Sequence, residues 1–113
     1  VAELNSSIAK YIVLEQEGII KGFAGFWLIA GEAQVTRVAV AKDARGQGLG
    51  KILTAALIAA AWQDGAEAVT LEVRKSNVAA QTVYTQTGFT VSGVRPHYYE
   101  DNKEDAIIMW LYR

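Results

Sequence analysis

Three runs of β-branched and aromatic residues occupy the first forty positions of the chain. They lie at residues 11–15, 22–29 and 34–40, and glycine-containing turns separate them. Such runs are typical of β-strands. The short links favour antiparallel pairing, because a parallel pair of strands needs a long crossover connection. The pattern therefore predicts an antiparallel meander of three strands.

In the middle of the chain, the spacing of the apolar residues becomes that of an α-helix. A helix is predicted at residues 51–63, and Gly65 is placed to end it. Its interior contains neither glycine nor proline, which would interrupt it. The apolar positions of this region recur at spacings of three and four: Leu49, Ile52, Leu53, Ala56, Leu57, Ala60 and Ala61.

The second half of the chain alternates strands and helices. A strand is predicted at residues 68–73, a second helix capped by Ser76 or Asn77, and strands at 89–94 and 105–111. The order βββαβαββ describes an α+β fold, with a mixed sheet and helices on its faces. Because a helix precedes strand 68–73, this strand pairs in parallel with an earlier one or splays away from it.

Composition narrows the possible functions. The 113 residues, about half of them apolar, suit one domain covering residues 1–113. A net charge of -1 disfavours direct nucleic-acid binding, and the apolar runs are too short to span a membrane, so a cytoplasmic protein is expected. The absence of cysteine and the single histidine, His97, argue against a metal site or a catalytic triad. Because the chain begins at Val1, we expect it to be truncated at its N-terminus.

A glycine-rich segment joins the third strand to the first helix. Glycine lets the backbone approach an anion, and the first turn of a helix offers unpaired N–H groups and a partial positive charge. The spacing G-x-G-x-G differs from the dinucleotide-binding fingerprint, and Lys51-Ile52 departs from the Walker pattern. The segment is therefore a candidate phosphate loop of another kind. Its residues are Arg45, Gly46, Gln47, Gly48, Leu49, Gly50 and Lys51.

The pattern Arg45-x-x-Gly48-x-Gly50 resembles the pyrophosphate loop of the GCN5-related N-acetyltransferases, the GNAT family. Five further segments are also similar to the family, at residues 37–40, 71–77, 84–89, 95–99 and 104–109. In combination, the loop and these segments resemble the RimI branch of that family, bacterial enzymes that acetylate the N-terminal amine of a ribosomal protein. The resemblance implies a GNAT-like acyl-CoA N-acyltransferase fold with splayed central strands. It also implies acetyl-CoA as cofactor and a primary amine as acceptor, foremost a protein N-terminus.

The same resemblance implies roles for individual residues. Glu72 matches the base that deprotonates the amine, and Tyr84 matches the acid that protonates the departing thiolate. The backbone N–H of Val40 is a candidate to polarise the thioester carbonyl. Tyr98 and Tyr99 match positions in the acceptor groove. The cofactor-binding residues are then the loop 45–51 together with Val38, Ala39, Val40 and Asn77.

The proposed site residues also have purely structural explanations. Glu72 lies on a strand that helices should largely cover, where it can form a salt bridge with Arg74 or Arg37, or it can simply be exposed at the strand end. Tyr84 can be a core residue of an amphipathic helix, and Asn77 can be only a helix cap. Tyr98 and Tyr99 can be an aromatic pair at a strand end. Trp27, Trp62 and Trp110 are expected in or beside the core, and His97 at the surface.

Other acceptors and another class of function stay open at this point. A lysine, polyamine or aminoglycoside acceptor would suit an acidic pocket near the C-terminus. A module that binds coenzyme A or a partner without catalysis is the third possibility, and the protein is expected to be a monomer or a homodimer. The residues of the acidic pocket would be Glu100, Asp101, Glu104 and Asp105.

Overall fold

The computed structural model describes residues 7–46 and 48–113, whose elements follow the predicted order βββαβαββ. The strands are β1 (Ser7–Gln16), β2 (Ile19–Ile29), β3 (Glu32–Val40), β4 (Ala68–Arg74), β5 (Thr90–Arg95) and β6 (Ala106–Tyr112). The α-helices are α1 (Leu49–Gln63) and α2 (Val78–Gln86), and a short 3-10 helix, Lys42–Ala44, precedes α1. Neither α-helix in this part of the chain is long and apolar enough to cross a membrane.

Strand β1 begins earlier than its hydrophobic run predicts. Its pairing with the long strand β2 continues back to the pair Ser7 and Ile29, so polar residues join the strand at the edge of the sheet. The two strands meet at the turn formed by Glu17 and Gly18, which have φ of 51° and 79°. Two positive φ values in a two-residue connection match the right-handed twist of a hairpin. The predicted antiparallel meander is therefore confirmed.

The six strands form one mixed sheet in the order β1-β2-β3-β4-β6-β5. The neighbouring strands are antiparallel except β3 and β4, which run parallel and are joined through the crossover helix α1. Strand β6 lies between β4 and β5. Residues on β4 and β5 therefore face each other only across an intervening strand.

The parallel strands β3 and β4 separate along most of their length. In the described residues they pair only from Glu32 and Ala68 to Gln34 and Thr70. A register shift in the β2–β3 ladder follows at once and leaves Thr36 as an extra residue on β3. Such a bulge bends its strand, and the rest of β3 stays paired with β2. The result is a split between β3 and β4, which confirms the splayed central strands.

The hydrophobic core lies between the two helices and one face of the sheet. Residues Leu53, Leu57 and Ala61 of α1 pack with Val69 and Leu71 of β4, all of them buried. Alternate residues of a strand point to opposite faces of the sheet. The residues between those core positions on β4 therefore point to the opposite face, which no described helix covers. This open face carries the candidate site.

Candidate active site

The loop before α1 has the backbone conformation that its glycines permit. Gly46 and Gly48 have φ of 83° and 74°, a region that residues with a Cβ rarely adopt. Gly48 also precedes the first residue of α1 as its N-terminal cap. Gln47, the predicted residue between them, lies outside the described residues. At Gly46 and Gly48 the turn therefore presents backbone alone.

Gly50 has no structural reason to be glycine. It lies within α1, and a Cβ built on it would meet no protein atom within 4 Å. Glycine inside a helix costs about 0.5–1 kcal/mol relative to alanine. The open space beside Gly50 is what a ligand that approaches the helix backbone would need. The first turn of α1 contains no acidic residue, and Lys51 is exposed there, so the local charge also suits an anion.

Strand β3 turns part of its backbone toward the split. The Ala41 N–H donates to the Lys21 carbonyl at 2.7 Å, which makes this a hydrogen-bonded pair of the β2–β3 ladder. Hydrogen-bonded and non-bonded pairs alternate in an antiparallel ladder. Val40 and Val38 therefore direct their backbone N–H and C=O groups away from β2 and toward the split. Arg45 Nε donates to the Val40 carbonyl at 3.3 Å, which agrees with this direction.

The backbone groups of Ala39 point in the opposite direction to those of Val38 and Val40. Ala39 lies opposite Phe23 in the β2–β3 ladder, and by the same alternation its backbone groups point to β2. The side chains of Val38 and Val40 pack against the core, as the alternative explanation expects. In Val38 and Val40, the side chains therefore contact the core, whereas the backbone groups point to the split between β3 and β4.

Glu72 lies on the open face of the sheet, which corrects the expectation that helices cover it. It is flanked by the buried residues Leu71 and Val73, but its own side chain points to the other face of β4. The carboxylate forms an ion pair with Arg95, whose Nη1 is 3.5 Å from Glu72 Oε2. The partner is neither Arg74 nor Arg37, because β5 brings Arg95 to the same face as Glu72.

A groove of about 740 Å³ runs along the open face and joins the split to Glu72. Val35 and Thr36 of β3 line one part of it, and Glu72 of β4 lines another. Tyr98 and Tyr99 close one end, with their rings 5.1 Å apart and nearly perpendicular. The predicted base and both predicted acceptor residues therefore share one groove.

Tyr84 is buried beneath this site on α2. Only 9% of the residue is exposed, and its ring packs edge-on against Phe89 at 5.7 Å. Burial raises the pKa of the Tyr84 phenol, and the neighbouring Tyr99 raises it further. The pKa of Tyr99 is also raised, first by burial, although the charge of Arg74 opposes that shift. Tyr99 thus lies within electrostatic reach of both Tyr84 and Glu72.

Asn77, His97 and two of the three tryptophans lie where their structural explanations place them. The Asn77 side chain accepts a hydrogen bond from the Ala80 N–H at 3.1 Å and caps α2. His97 is exposed, as expected. Trp62 and Trp110 are half-buried, but Trp27 is 42% exposed because it lies on the open face. A cofactor contact by Asn77 stays a prediction.

Comparison with known proteins identifies the family. Residues 2–89, more than half of the chain, match the sequence model described as the Acetyltransferase (GNAT) family. The chain belongs to the GNAT family. Enzymes of this family use acetyl-CoA to acetylate an amine, so this GNAT chain is an acetyl-CoA-dependent N-acetyltransferase.

Two proteins illustrate the likeness to the family in sequence and in structure. Ribosomal protein bS18-alanine N-acetyltransferase of Escherichia coli (strain K12) is 40% identical over 100 residues, which is 87% of this chain and 68% of that protein. A crystal structure of the ribosomal-protein-S18-alanine N-acetyltransferase from Escherichia coli has a TM-score of 0.85 at 38% identity. The match covers 92% of this chain and 68% of that one.

A third protein has the same fold with cofactor present. This GNAT family acetyltransferase from Elizabethkingia anophelis, solved with acetyl-CoA bound, has a TM-score of 0.84 at 18% identity. The match covers 97% of this chain and 78% of that chain. At this identity the likeness concerns the fold alone.

The residues of this GNAT chain fit acetyl-CoA. The positive-φ glycines and the unpaired N–H groups at the start of α1 suit a pyrophosphate. The N–H and C=O of Val38 and the N–H of Val40 point to the split and suit the amide groups of a pantetheine arm, because they present donors and an acceptor at regular spacing. The Arg45 guanidinium is engaged with the Val40 carbonyl, whereas Lys51 is exposed at the first turn of the helix.

Sequence reasoning missed the contacts that two arginines make in the GNAT site. Arg95 pairs with Glu72, and Arg74 lies over the Tyr99 ring with its guanidinium carbon 4.0 Å from the ring centroid. Neither contact has a signal in the spacing of the chain. Both depend on the insertion of β6 between β4 and β5 and on the path of the loop 96–105.

Proposed function

We propose that this GNAT chain acetylates the N-terminal α-amine of a protein, with ribosomal protein bS18 as the first candidate acceptor. The observation that carries this proposal is the shared groove, in which Glu72 and Tyr99 lie beside the split toward which Val38 and Val40 of β3 turn their backbone N–H groups. A groove that is open along the sheet has room for an extended peptide end. The name of the Escherichia coli relative supports the choice of bS18. We propose that the reaction takes place in the cytoplasm.

Glu72 is the proposed base. Its carboxylate faces the groove and is partly exposed, so it can take a proton from the acceptor ammonium directly or through a water molecule. An α-amine has a pKa of about 8, whereas a lysine amine has a pKa of about 10.4. The more acidic of these two ammonium groups gives up its proton more readily at neutral pH, which favours an α-amine as the acceptor.

Tyr84 is the proposed acid, and Val40 the proposed electrophilic donor. Acetyl-CoA, when bound, supplies the acetyl group as a thioester. Because burial raises the pKa of the Tyr84 phenol, this group keeps its proton at neutral pH and has one to give to a thiolate. The Val40 N–H points into the split, where it can donate to a carbonyl oxygen that gains negative charge.

The acidic residues near the C-terminus weigh against a small cationic acceptor. Asp101 and Glu104 form ion pairs with Arg74, and the Asp105 carboxylate accepts a hydrogen bond from the His97 N–H. These carboxylates are committed to holding the loop 96–105, and they do not line the groove. Three of the four carboxylates expected to form an acidic pocket are engaged in this way, and the fourth, Glu100, does not line the groove either.

A thiol-release assay with three matched peptides tests the proposal. The first peptide carries the N-terminal sequence of bS18 with a free amine, the second has the same sequence with that amine blocked, and the third adds a lysine to the blocked peptide. We expect coenzyme A release with the first peptide alone, and an acetylated product at its N-terminus by mass spectrometry. Turnover of the lysine peptide at an equal rate would contradict the proposal.

A binding measurement separates catalysis from mere cofactor binding. Calorimetry should give acetyl-CoA binding for the wild type and for Glu72→Gln alike, while only the wild type turns over peptide. Tight binding without transfer to any peptide amine would instead favour a non-catalytic module.

A further inference from the structure

Arg74 makes an unusual set of contacts with a single loop. The guanidinium lies over the Tyr99 ring at 4.0 Å, and its Nη2 is 3.0 Å from Asp101 Oδ2. Its Nη1 donates to Asn102 Oδ1 and to Glu104 Oε1, both at 3.3 Å. The planar guanidinium can serve all of these partners at once because it carries five N–H groups in a fixed fork. One side chain of β4 thus joins the loop 96–105 at four places.

We propose that Arg74 is a positioning residue for the acceptor, which holds the loop 96–105 so that Tyr99 stays in the groove beside Glu72. The proposal rests on the function proposed above, because it assigns the acceptor to this groove. Arg74 itself does not line the groove. It acts through Tyr99, over whose ring its guanidinium lies.

A second set of bonds ties the same loop to the start of α2. The Ser76 N–H donates to Glu104 Oε2 at 2.5 Å, and the Lys75 N–H donates to the Asp105 carbonyl at 3.1 Å. The hydrogen bonds from Ser76, and then that from Arg74, lower the pKa of the Glu104 carboxyl, so this group is ionised throughout the neutral range. The loop that carries Tyr99 is therefore fixed to the connection that precedes the helix of Tyr84.

The loop adopts a backbone conformation that it would not keep by itself. His97 and Lys103 have φ of 54° and 58°, which is the left-handed region that side chains with a Cβ disfavour. Such residues persist only where surrounding contacts determine the conformation. The contacts of Arg74 lie between these two strained residues, at Tyr99, Asp101 and Asn102. Their removal should let the strained backbone relax and move Tyr99 out of the groove.

The kinetic test compares Arg74→Gln and Arg74→Lys with the wild type. We expect Arg74→Gln to raise the KM for the peptide about tenfold, because a cation–π contact and an ion-pair network are lost together. The KM for acetyl-CoA and kcat should stay within about twofold of the wild type, since Arg74 touches neither the loop 45–51 nor the proposed acid and base. Arg74→Lys keeps the charge but lacks the fork, so it should restore less than half of the loss in peptide affinity.

Two further variants show whether Arg74 acts through Tyr99. In Tyr99→Ala, the addition of Arg74→Gln should raise the peptide KM by no more than about twofold, because the ring that Arg74 holds is absent. Arg113→Gln serves as the matched control, because this exposed arginine lies at the far end of β6, with its guanidinium carbon 6.0 Å from the Trp62 ring centroid. A tenfold effect of Arg113→Gln, or additive effects of Arg74→Gln and Tyr99→Ala, would overturn the proposal.

Amide hydrogen exchange tests the loop independently of catalysis. The Tyr99 N–H donates to the Glu104 carbonyl at 3.2 Å, so its exchange rate reports whether the loop stays closed. We expect this amide to exchange about tenfold faster in Arg74→Gln, while the amides of α1 keep their protection. Unchanged exchange at Tyr99 would refute the positioning role even if peptides are acetylated. Faster exchange without turnover of any peptide would sustain the role of Arg74 in the loop and refute the proposed acceptor instead.

Discussion

Glu72 and Tyr84, the proposed base and acid, have opposite surroundings. The Glu72 carboxylate lies in an open groove and forms an ion pair with Arg95. The Tyr84 phenol is buried against Phe89, and burial favours its neutral form. A carboxylate that faces the groove and a buried phenol that keeps its proton can divide base and acid chemistry between them. The surroundings of these residues, rather than their chemical types alone, support the proposed roles.

The first prediction concerns the carboxylate. Glu72→Gln keeps the size of the side chain and removes its basicity, so kcat/KM for a peptide should fall about 10²- to 10⁴-fold. The affinity for acetyl-CoA should change by no more than about twofold, because Glu72 lies outside the loop 45–51. Steady-state kinetics and calorimetry measure the two quantities. Glu67→Gln, which replaces an exposed carboxylate just before β4, is the control and should behave as the wild type.

The second prediction concerns pH. An ordinary tyrosine has a pKa of about 10. Because the pKa of Tyr84 is raised above this value, its phenol stays protonated to a higher pH. With a peptide α-amine as acceptor, kcat/KM should therefore rise toward a plateau at about pH 8 and fall only above about pH 10. Tyr84→Phe should lower the plateau and remove the alkaline fall. A decline that begins near neutral pH would show that another group supplies the proton.

At the scale of elements, the junction of β3 with α1 concentrates the features that suit acetyl-CoA. The bulge at Thr36 opens the split, and the alternation of the antiparallel ladder turns the backbone groups of Val38 and Val40 into it. The same strand then leads into a turn whose glycines place the first N–H groups of α1 at its end. Strand and helix thus offer backbone groups along one continuous path.

The third prediction contrasts two glycines of this junction. Gly50→Ala should raise the free energy of unfolding by about 0.5–1 kcal/mol, because alanine is the better helix residue and no protein atom obstructs its Cβ. Gly48→Ala should lower it by about 1–2 kcal/mol, because Gly48 has φ of 74°. Both substitutions should weaken acetyl-CoA binding, since each adds a Cβ to the surface proposed to receive the pyrophosphate.

Denaturant unfolding and calorimetry together check this contrast. Ala55→Gly, on an exposed position of α1, is the matched control. It should lower stability by about 0.5–1 kcal/mol and leave acetyl-CoA affinity unchanged. If Gly50→Ala stabilised the protein without weakening binding, the space beside Gly50 would have no part in holding the cofactor.

At the scale of the whole molecule, the comparison of sequence with structure separates local from long-range information. Hydrophobic periodicity was sufficient for the element order, and the glycine spacing was sufficient for the turn before α1, because both depend on neighbouring residues. It was not sufficient for the partner of Glu72. Arg95 reaches that carboxylate only because β6, the last strand in the chain, enters the sheet between β4 and β5. Nor does periodicity distinguish which face of a strand the helices cover, so Trp27 was expected near the core but is 42% exposed.

The fourth prediction tests the one-sided core with two matched valines. Val69 of β4 is fully buried beneath the helices, whereas Val13 of β1 is 53% exposed. Val69→Ala removes two buried methyl groups and leaves a cavity, so it should lower the free energy of unfolding by about 2–3 kcal/mol. Val13→Ala removes the same atoms and the same β-branched propensity, but should cost no more than about 1 kcal/mol. The loss at Val69 would be a large fraction of the stability of a single domain, about 5–15 kcal/mol.

Denaturant unfolding at several protein concentrations makes this comparison decisive. In a monomer, both free-energy changes are independent of concentration, and their difference measures the burial at Val69 alone. Equal losses at the two valines would mean that something covers the open face in solution. If a second copy of the chain were that cover, the loss at Val13 would grow with protein concentration, because association stabilises the folded chain by mass action.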